Sequence, residues 1–93
     1  MAIQRFSNRI ESNENSKNEI SPILIAMGEE FGYVAAHHIF SHISRTLMIP
    51  IRDILFSDYE GFTRILNQVY TEEIAERDIL SRLTRFRLKE RLS

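Results

Sequence analysis

Apolar residues recur at helical spacing along most of the chain. The third such stretch is the clearest, since Tyr59, Phe62 and Leu66 fill one arc of a helix while Arg64 and Asn67 fill the opposite arc. Each stretch is long enough to form a helix that packs by its apolar side. The pattern therefore predicts an all-α fold with helical segments at about residues 22–48, 50–56, 58–70 and 72–91.

Helix start and stop signals separate these segments. Ser21 precedes a proline, so a hydroxyl that can cap the first turn is followed by a residue whose missing N–H costs nothing there. Pro50 ends or kinks the helix before it. Ser57 with Glu60 three residues later has the form of a capping box, and Thr71 offers a further N-cap.

The first segment carries two apolar stripes, which distinguishes it from an ordinary surface helix. One stripe contains Ile39, Ile43 and Leu47, and a helix covered on two sides either lies at the centre of its domain or meets a second subunit. Four short helices can scarcely bury such a helix alone, so we expect a homodimer that buries these three residues. An interior glycine weakens a helix, and Glu29 interrupts a stripe, so a break near Gly28 is an open alternative.

The fourth segment is also apolar on two sides, with Ile79 and Leu83 on one side and Ile74 and Leu88 on the other. Its last residues, 85–89, alternate between polar and apolar, which leaves a short strand as an alternative. The helical spacing before them and the lack of a partner strand favour a helix. The expected architecture is a small domain of three to four helices.

Residues 1–19 differ from the rest of the chain. Ile3, Phe6 and Ile10 have the spacing of a short amphipathic helix, and the stretch that follows them has no apolar side chain. We expect a flexible N-terminal arm here and a folded helical domain over residues 20–93. The arm is either an organelle-targeting segment or a segment that docks on its own domain or on a neighbouring subunit.

Length and composition exclude several classes of protein. The chain has 93 residues, 43% of them hydrophobic, and no cysteine, which indicates one packed domain without disulfides, thiolate metal sites or a cysteine nucleophile. Its longest apolar run is too short to cross a bilayer and its first residues lack a secretory signal, so we expect a cytoplasmic protein that binds no membrane. It shows no catalytic or phosphate-binding motif, so we expect neither enzyme activity nor a cofactor.

His38 and His42 are weak candidates for metal ligands. They stand one helical turn apart, a spacing at which both imidazoles reach one metal ion. A site would need a third ligand from Asp58, Glu60, Glu72 or a second subunit, and nothing in the sequence directs one there. We therefore expect no metal, because the two residues fit better as half-buried histidines at an interface edge.

The charges are unevenly distributed along the chain. Residues 77–93 carry six cationic side chains against two acids, a net charge of +4, whereas the whole chain has a net charge of −1. Arginine, which makes up ten of the twelve basic residues, suits bidentate contacts with carboxylates and phosphates. The candidate binding residues are Arg82, Arg85, Arg87, Lys89 and Arg91.

Two functions fit this distribution. In the first, which we favour, the chain is a small regulatory protein that binds an acidic partner protein through its helix faces. In the second, the Arg-rich helix binds nucleic acid phosphates, although we find no helix-turn-helix, zinc-finger or aromatic RNA-binding motif. The same arginines also fit a structural role, in which they complement the helix dipole or pair with acids elsewhere in the chain.

Overall fold

The computed structural model describes residues 20–92, and the predicted all-α class is confirmed over this range, which contains no strand at residues 85–89 or elsewhere. Between the fourth and fifth α-helices, a π-helical segment (Ile74–Leu80) continues directly into a 3₁₀ segment (Ser81–Phe86). The predicted N-terminal arm lies outside the described residues. The α-helices are α1 (Pro22–Phe31), α2 (Tyr33–Leu47), α3 (Ile51–Leu55), α4 (Tyr59–Val69) and α5 (Leu88–Arg91).

Ser21 begins α1 as the sequence predicts. Its hydroxyl oxygen accepts a hydrogen bond from the Leu24 N–H at 3.1 Å, and Pro22 occupies the first helical position. The same hydroxyl donates to the carbonyl oxygen of Leu55 at 2.6 Å. One buried serine therefore both caps α1 and joins it to the end of α3.

The long first segment is divided at Gly32, and α1 continues through Gly28, where the sequence had left a break open. Gly32 has φ 91° and ψ 146°, a conformation that L side chains rarely adopt, so only glycine bends the chain here without strain. Gly28 instead lies buried inside α1, where the ring of Tyr33 packs against it. A Cβ at Gly28 would overlap the Tyr33 ring, so this glycine makes room for the ring.

Helix α4 begins one residue later than the predicted capping box implies. Asp58, and not Ser57, is the N-cap, and its carboxylate accepts a hydrogen bond from the Gly61 N–H at 2.7 Å. The Ser57 hydroxyl donates backwards to the carbonyl oxygen of Ile54 at 2.8 Å. Thr71 caps the next helical stretch as predicted, accepting from the N–H three residues later at 3.2 Å.

One hydrophobic core joins these elements. Much of the two-sided first segment is covered within a single chain, because the bend at Gly32 lets α1 and α2 pack against each other and against the later helices, although Val34 stays exposed. Phe62 and Leu66 enter the core from the predicted apolar face of α4. The other buried apolar residues are Ile23, Ala26, Met27, Ala36, Phe40, Ile43, Ile54, Ala75, Ile79, Leu80, Leu83 and Leu88.

The predicted fourth helix is interrupted at Arg87. This residue has φ 56° and ψ 44°, a left-handed conformation that ends the 3₁₀ segment and precedes the short helix α5. Leu88, directly after the turn, is buried, whereas Ile74 is exposed. The two residues therefore do not form the second apolar face that a continuous helix would have given them.

Candidate partner-binding surface

The five basic residues predicted to bind a partner do not lie on one helix face. Arg82 and Arg85 belong to the 3₁₀ segment, Arg87 forms the left-handed turn, and Lys89 and Arg91 belong to α5. The left-handed turn at Arg87 interrupts the predicted fourth helix, so the five residues do not share one helical register. The set therefore has two parts. Arg82 and Arg85 bind another side chain of the fold, and the other three residues lie around the turn.

Arg82 and Arg85 share the carboxylate of Glu30. The Arg82 Nε atom donates to Glu30 Oε2 at 3.0 Å, and the Arg85 Nη2 atom lies 3.4 Å from Oε1. The Glu30 side chain is only 16% exposed, so water screens this cluster less than an ordinary surface ion pair. The Arg82 guanidinium also lies over the Phe31 ring, 4.7 Å from its centroid. Both arginines therefore have an acidic partner within their own chain.

Arg87 and Lys89 are differently placed. Both are exposed, and neither forms an ion pair with another residue of the range 20–92. Arg91 is also exposed, and its Nη1 atom donates to the carbonyl oxygen of Phe86 at 3.5 Å. Arg87 and Lys89 are therefore the cations of the predicted set whose charge is open to an external anion.

A groove of about 380 Å³ lies beside these two cations. Its apolar lining comes from Leu80, Leu83 and Leu88, whose side chains otherwise face the core, and Tyr59 of α4 contributes its half-buried ring. A groove of this volume lies within the range of about 300–1,000 Å³ that is usual for ligand pockets. It can take an apolar side chain next to two positive charges.

A second hollow of about 270 Å³ adjoins the groove, since Tyr59 and Lys89 line both. Asp58 and Glu60 bring two carboxylates to this hollow. Asp58 is the N-cap of α4, whereas Glu60 lies exposed in its first turn. The joined surface is apolar within and carries charges of both signs at its edge.

The charge pattern of the sequence predicts the cations of this surface but not the residues of α4 that lie opposite them. Tyr59 was placed on the packing face of α4, which agrees with its half-buried ring. The sequence contains no local signal that brings residues 58–60 next to residues 87–90, because this contact depends on how α4 packs against the chain's last turns. Periodicity identifies the face of a helix that packs but not the element against which it packs.

The histidine pair lies elsewhere, on α2. His38 and His42 are both exposed in the single chain, so their predicted place at the edge of an interface with a second subunit stays a prediction. The His42 ring packs near Tyr70, with centroids 5.9 Å apart, and the His38 ring lies 6.3 Å from that of His37. Within residues 20–92, no group of three His, Asp or Glu side chains is placed to hold a metal ion. The described residues therefore do not supply the third ligand that a site at His38 and His42 would need.

The residues of the predicted dimer interface also lie on α2. Ile43 is fully buried within the single chain, whereas Ile39 and Leu47 are half-buried and pack against the same core. The chain's own helices thus cover Ile43 without a second subunit. The homodimer itself stays a prediction, and within the predicted interface only Ile39 and Leu47 retain surface that a second copy can reach.

Comparisons with protein families, with curated proteins and with solved structures give no match to this chain. In the described part of the chain, no helix combines the length and the apolar character needed to span a membrane. Function therefore has to be inferred from the surface residues themselves.

Proposed function

We propose that this chain is a small, non-enzymatic helical interaction protein that acts in the cytoplasm and binds an acidic segment of a partner protein. One observation carries the proposal: Arg87 and Lys89, which have no ion pair within residues 20–92, line a groove whose walls include Leu83 and Leu88. A carboxylate next to an apolar side chain complements both features of this groove.

The two parts of such a ligand would contribute differently. Charge-assisted hydrogen bonds from a guanidinium to a carboxylate are about twice as strong as neutral ones and fix the orientation of the ligand. Removing one leucine-sized side chain from water contributes about 1.5–3 kcal/mol. Because the groove is small and open, these contributions suit a transient complex better than a permanent one.

Carboxylates on the same surface favour a protein ligand over a nucleic acid. Asp58 and Glu60 line the hollow that Lys89 shares. Negative charges so near the binding cations repel a phosphate backbone, whereas a protein segment can offer them a basic side chain. Nucleic acid is the second candidate ligand, because Arg87 and Lys89 suit phosphate contacts as well.

Titration of the full chain with defined probes tests the proposal. The probes are two helical peptides with the same leucine stripe, one with glutamate and one with lysine at the polar positions, and a short DNA duplex. We expect the glutamate peptide alone to bind and to shift the NMR signals of Tyr59 and Leu88. Binding of the lysine peptide with equal affinity would contradict the proposal.

Paired variants assign the binding to the groove. Arg87→Glu combined with Lys89→Glu should weaken binding of the glutamate peptide by about tenfold or more, since reversed charges repel the ligand. Arg45→Glu combined with Arg64→Glu is the matched control, because it makes the same charge change at exposed positions outside the groove. Duplex binding that falls steeply with salt and is lost in the groove variant would instead support the nucleic acid alternative.

A further inference from the structure

An apolar patch lies where the described part of the chain begins. It consists of Ile20 and Phe56, which are 64% and 43% exposed, together with the half-buried Ile51 and Leu55. The hydrogen bond from the Ser21 hydroxyl to the Leu55 carbonyl oxygen, 2.6 Å long, holds the start of α1 against the end of α3. This bond joins the immediate neighbours of Ile20 and Phe56 and so brings both to one end of the domain. We call these four residues the α3 patch.

We infer that the N-terminal arm of the same chain docks on the α3 patch. Residues 1–19 lie outside the described range, so the inference rests on the patch and on the sequence of the arm. Ile3, Phe6 and Ile10 form a single apolar stripe when residues 3–10 are helical. The stripe supplies a few large apolar side chains, which matches a patch of similar extent.

The attachment point of the arm favours this occupant over a separate molecule. Ile20 is itself part of the patch, and residues 11–19 link it to the apolar stripe. This linker can extend by up to about 30 Å, and a helix over residues 3–10 would be about 12 Å long, so the stripe can reach the patch without strain. A tether of nine residues holds the stripe within about 30 Å of the patch, which corresponds to an effective concentration in the millimolar range. A second copy of the chain or another protein would displace the arm from the patch only if its own concentration exceeded this value.

Charge does not select the occupant of the patch. Helix α3 carries one base, Arg52, and one acid, Asp53, so its net charge is zero. The Arg52 guanidinium lies over the Phe56 ring, 5.2 Å from its centroid, and covers part of it. Apolar area and tether length therefore decide the docking. The patch shares no residue with the groove beside Arg87, so the two proposals stand or fall separately.

A tryptophan reporter in the arm tests the inference. The chain contains no tryptophan, so Phe6→Trp introduces a single indole at the centre of the apolar stripe. In the full chain we expect a blue-shifted emission and protection from acrylamide quenching, both independent of protein concentration. An indole that emits as if in water would overturn the inference, and protection that disappears on dilution would also overturn it, because the arm would then cover a second copy.

Variants of the patch and of the arm locate the contact. In the Phe6→Trp background, Ile20→Ser with Phe56→Ser should abolish the blue shift, whereas Val34→Ser with Ile74→Ser, at exposed apolar positions elsewhere, should leave it unchanged. Equal effects of the two pairs would overturn the assignment to the α3 patch. Circular dichroism reports whether the folded domain tolerates these changes.

A pair of substitutions in the arm leaves the described domain untouched. Ile3→Asp with Ile10→Asp should abolish the blue shift, because it places charges in the apolar stripe. Gln4→Asp with Asn8→Asp should preserve it, since the same charge change falls on the opposite side of the helix. If both pairs preserve the blue shift, the arm does not dock by its apolar stripe.

Discussion

The carboxylate of Glu30 binds the guanidinium of Arg82 across 52 positions of the chain, with Nε and Oε2 3.0 Å apart. This contact joins the last turn of α1 to the 3₁₀ segment, and Arg85 approaches the other carboxylate oxygen. The charge pattern predicted that five basic residues bind a partner protein. Two of them, Arg82 and Arg85, instead bind a carboxylate of their own chain. Their removal should affect folding, whereas removal of Lys89 should affect only binding.

The Glu30 cluster should be measurable as a contribution to stability. Arg82→Ala or Glu30→Gln should each lower the free energy of unfolding by about 1 kcal/mol, since the carboxylate is largely shielded although both arginines are exposed. Lys89→Ala, which removes no ion pair within residues 20–92, should stay within about 0.5 kcal/mol of the wild type. Urea denaturation checks both values. Strictly additive losses in the Glu30→Gln, Arg82→Ala double variant would show that the two side chains are not coupled.

The two glycines of the α1–α2 corner should respond differently to alanine. Gly32→Ala should cost about 1–3 kcal/mol, because φ 91° is strained for any residue with a Cβ, even with open space around it. Gly28→Ala should cost less, since the exposed Tyr33 ring can swing away and alanine gains about 1 kcal/mol in helix propensity. Thermal unfolding of both variants shows which substitution lowers stability more. A larger loss for Gly28→Ala would mean that the ring contact matters more than the bend.

Glycine at Arg87 should separate stability from binding. Arg87→Gly should raise the free energy of unfolding by about 0.5–1 kcal/mol, because it relieves the left-handed strain at the turn, while it weakens binding of the glutamate peptide. Met48→Gly is the matched control, since Met48 has a φ of 60° and lies outside the groove. It should raise stability by a similar amount and leave binding unchanged. Unchanged peptide binding in Arg87→Gly would contradict the proposed role of this side chain.

Alkaline pH should weaken the fold through Tyr70. Burial raises the pKa of the Tyr70 phenol above its ordinary value of 10.0, so the folded state retains this proton at a pH where the unfolded state has lost it. The resulting stabilisation is fully present below pH 10 and is lost as pH rises through the higher folded pKa. Tyr70→Phe should therefore reduce the fall in melting temperature between pH 9 and about pH 11 relative to the wild type. A fall as large as that of the wild type would contradict this prediction.

Several local features could be predicted because a few neighbouring residues determine them. The caps at Ser21 and Thr71 follow from a hydroxyl near the first free N–H groups of a helix, and the buried face of α4 follows from the spacing of its apolar residues. The sequence left a break near Gly28 open, and the bend lies at Gly32 instead. Both glycines allow a break, and only the packing of Tyr33 distinguishes them.

The spacing of residues along the chain is enough to predict a helical fold, the apolar faces of its helices and the positive charge near its C-terminal end. The contacts of Arg82 and Arg85 with Glu30, and the groove that Arg87 and Lys89 line with Tyr59, arise from packing between distant elements. The two kinds of feature differ in range. Helical periodicity and capping depend on neighbours within one turn, whereas an ion pair across 52 positions depends on how every element between its two residues packs.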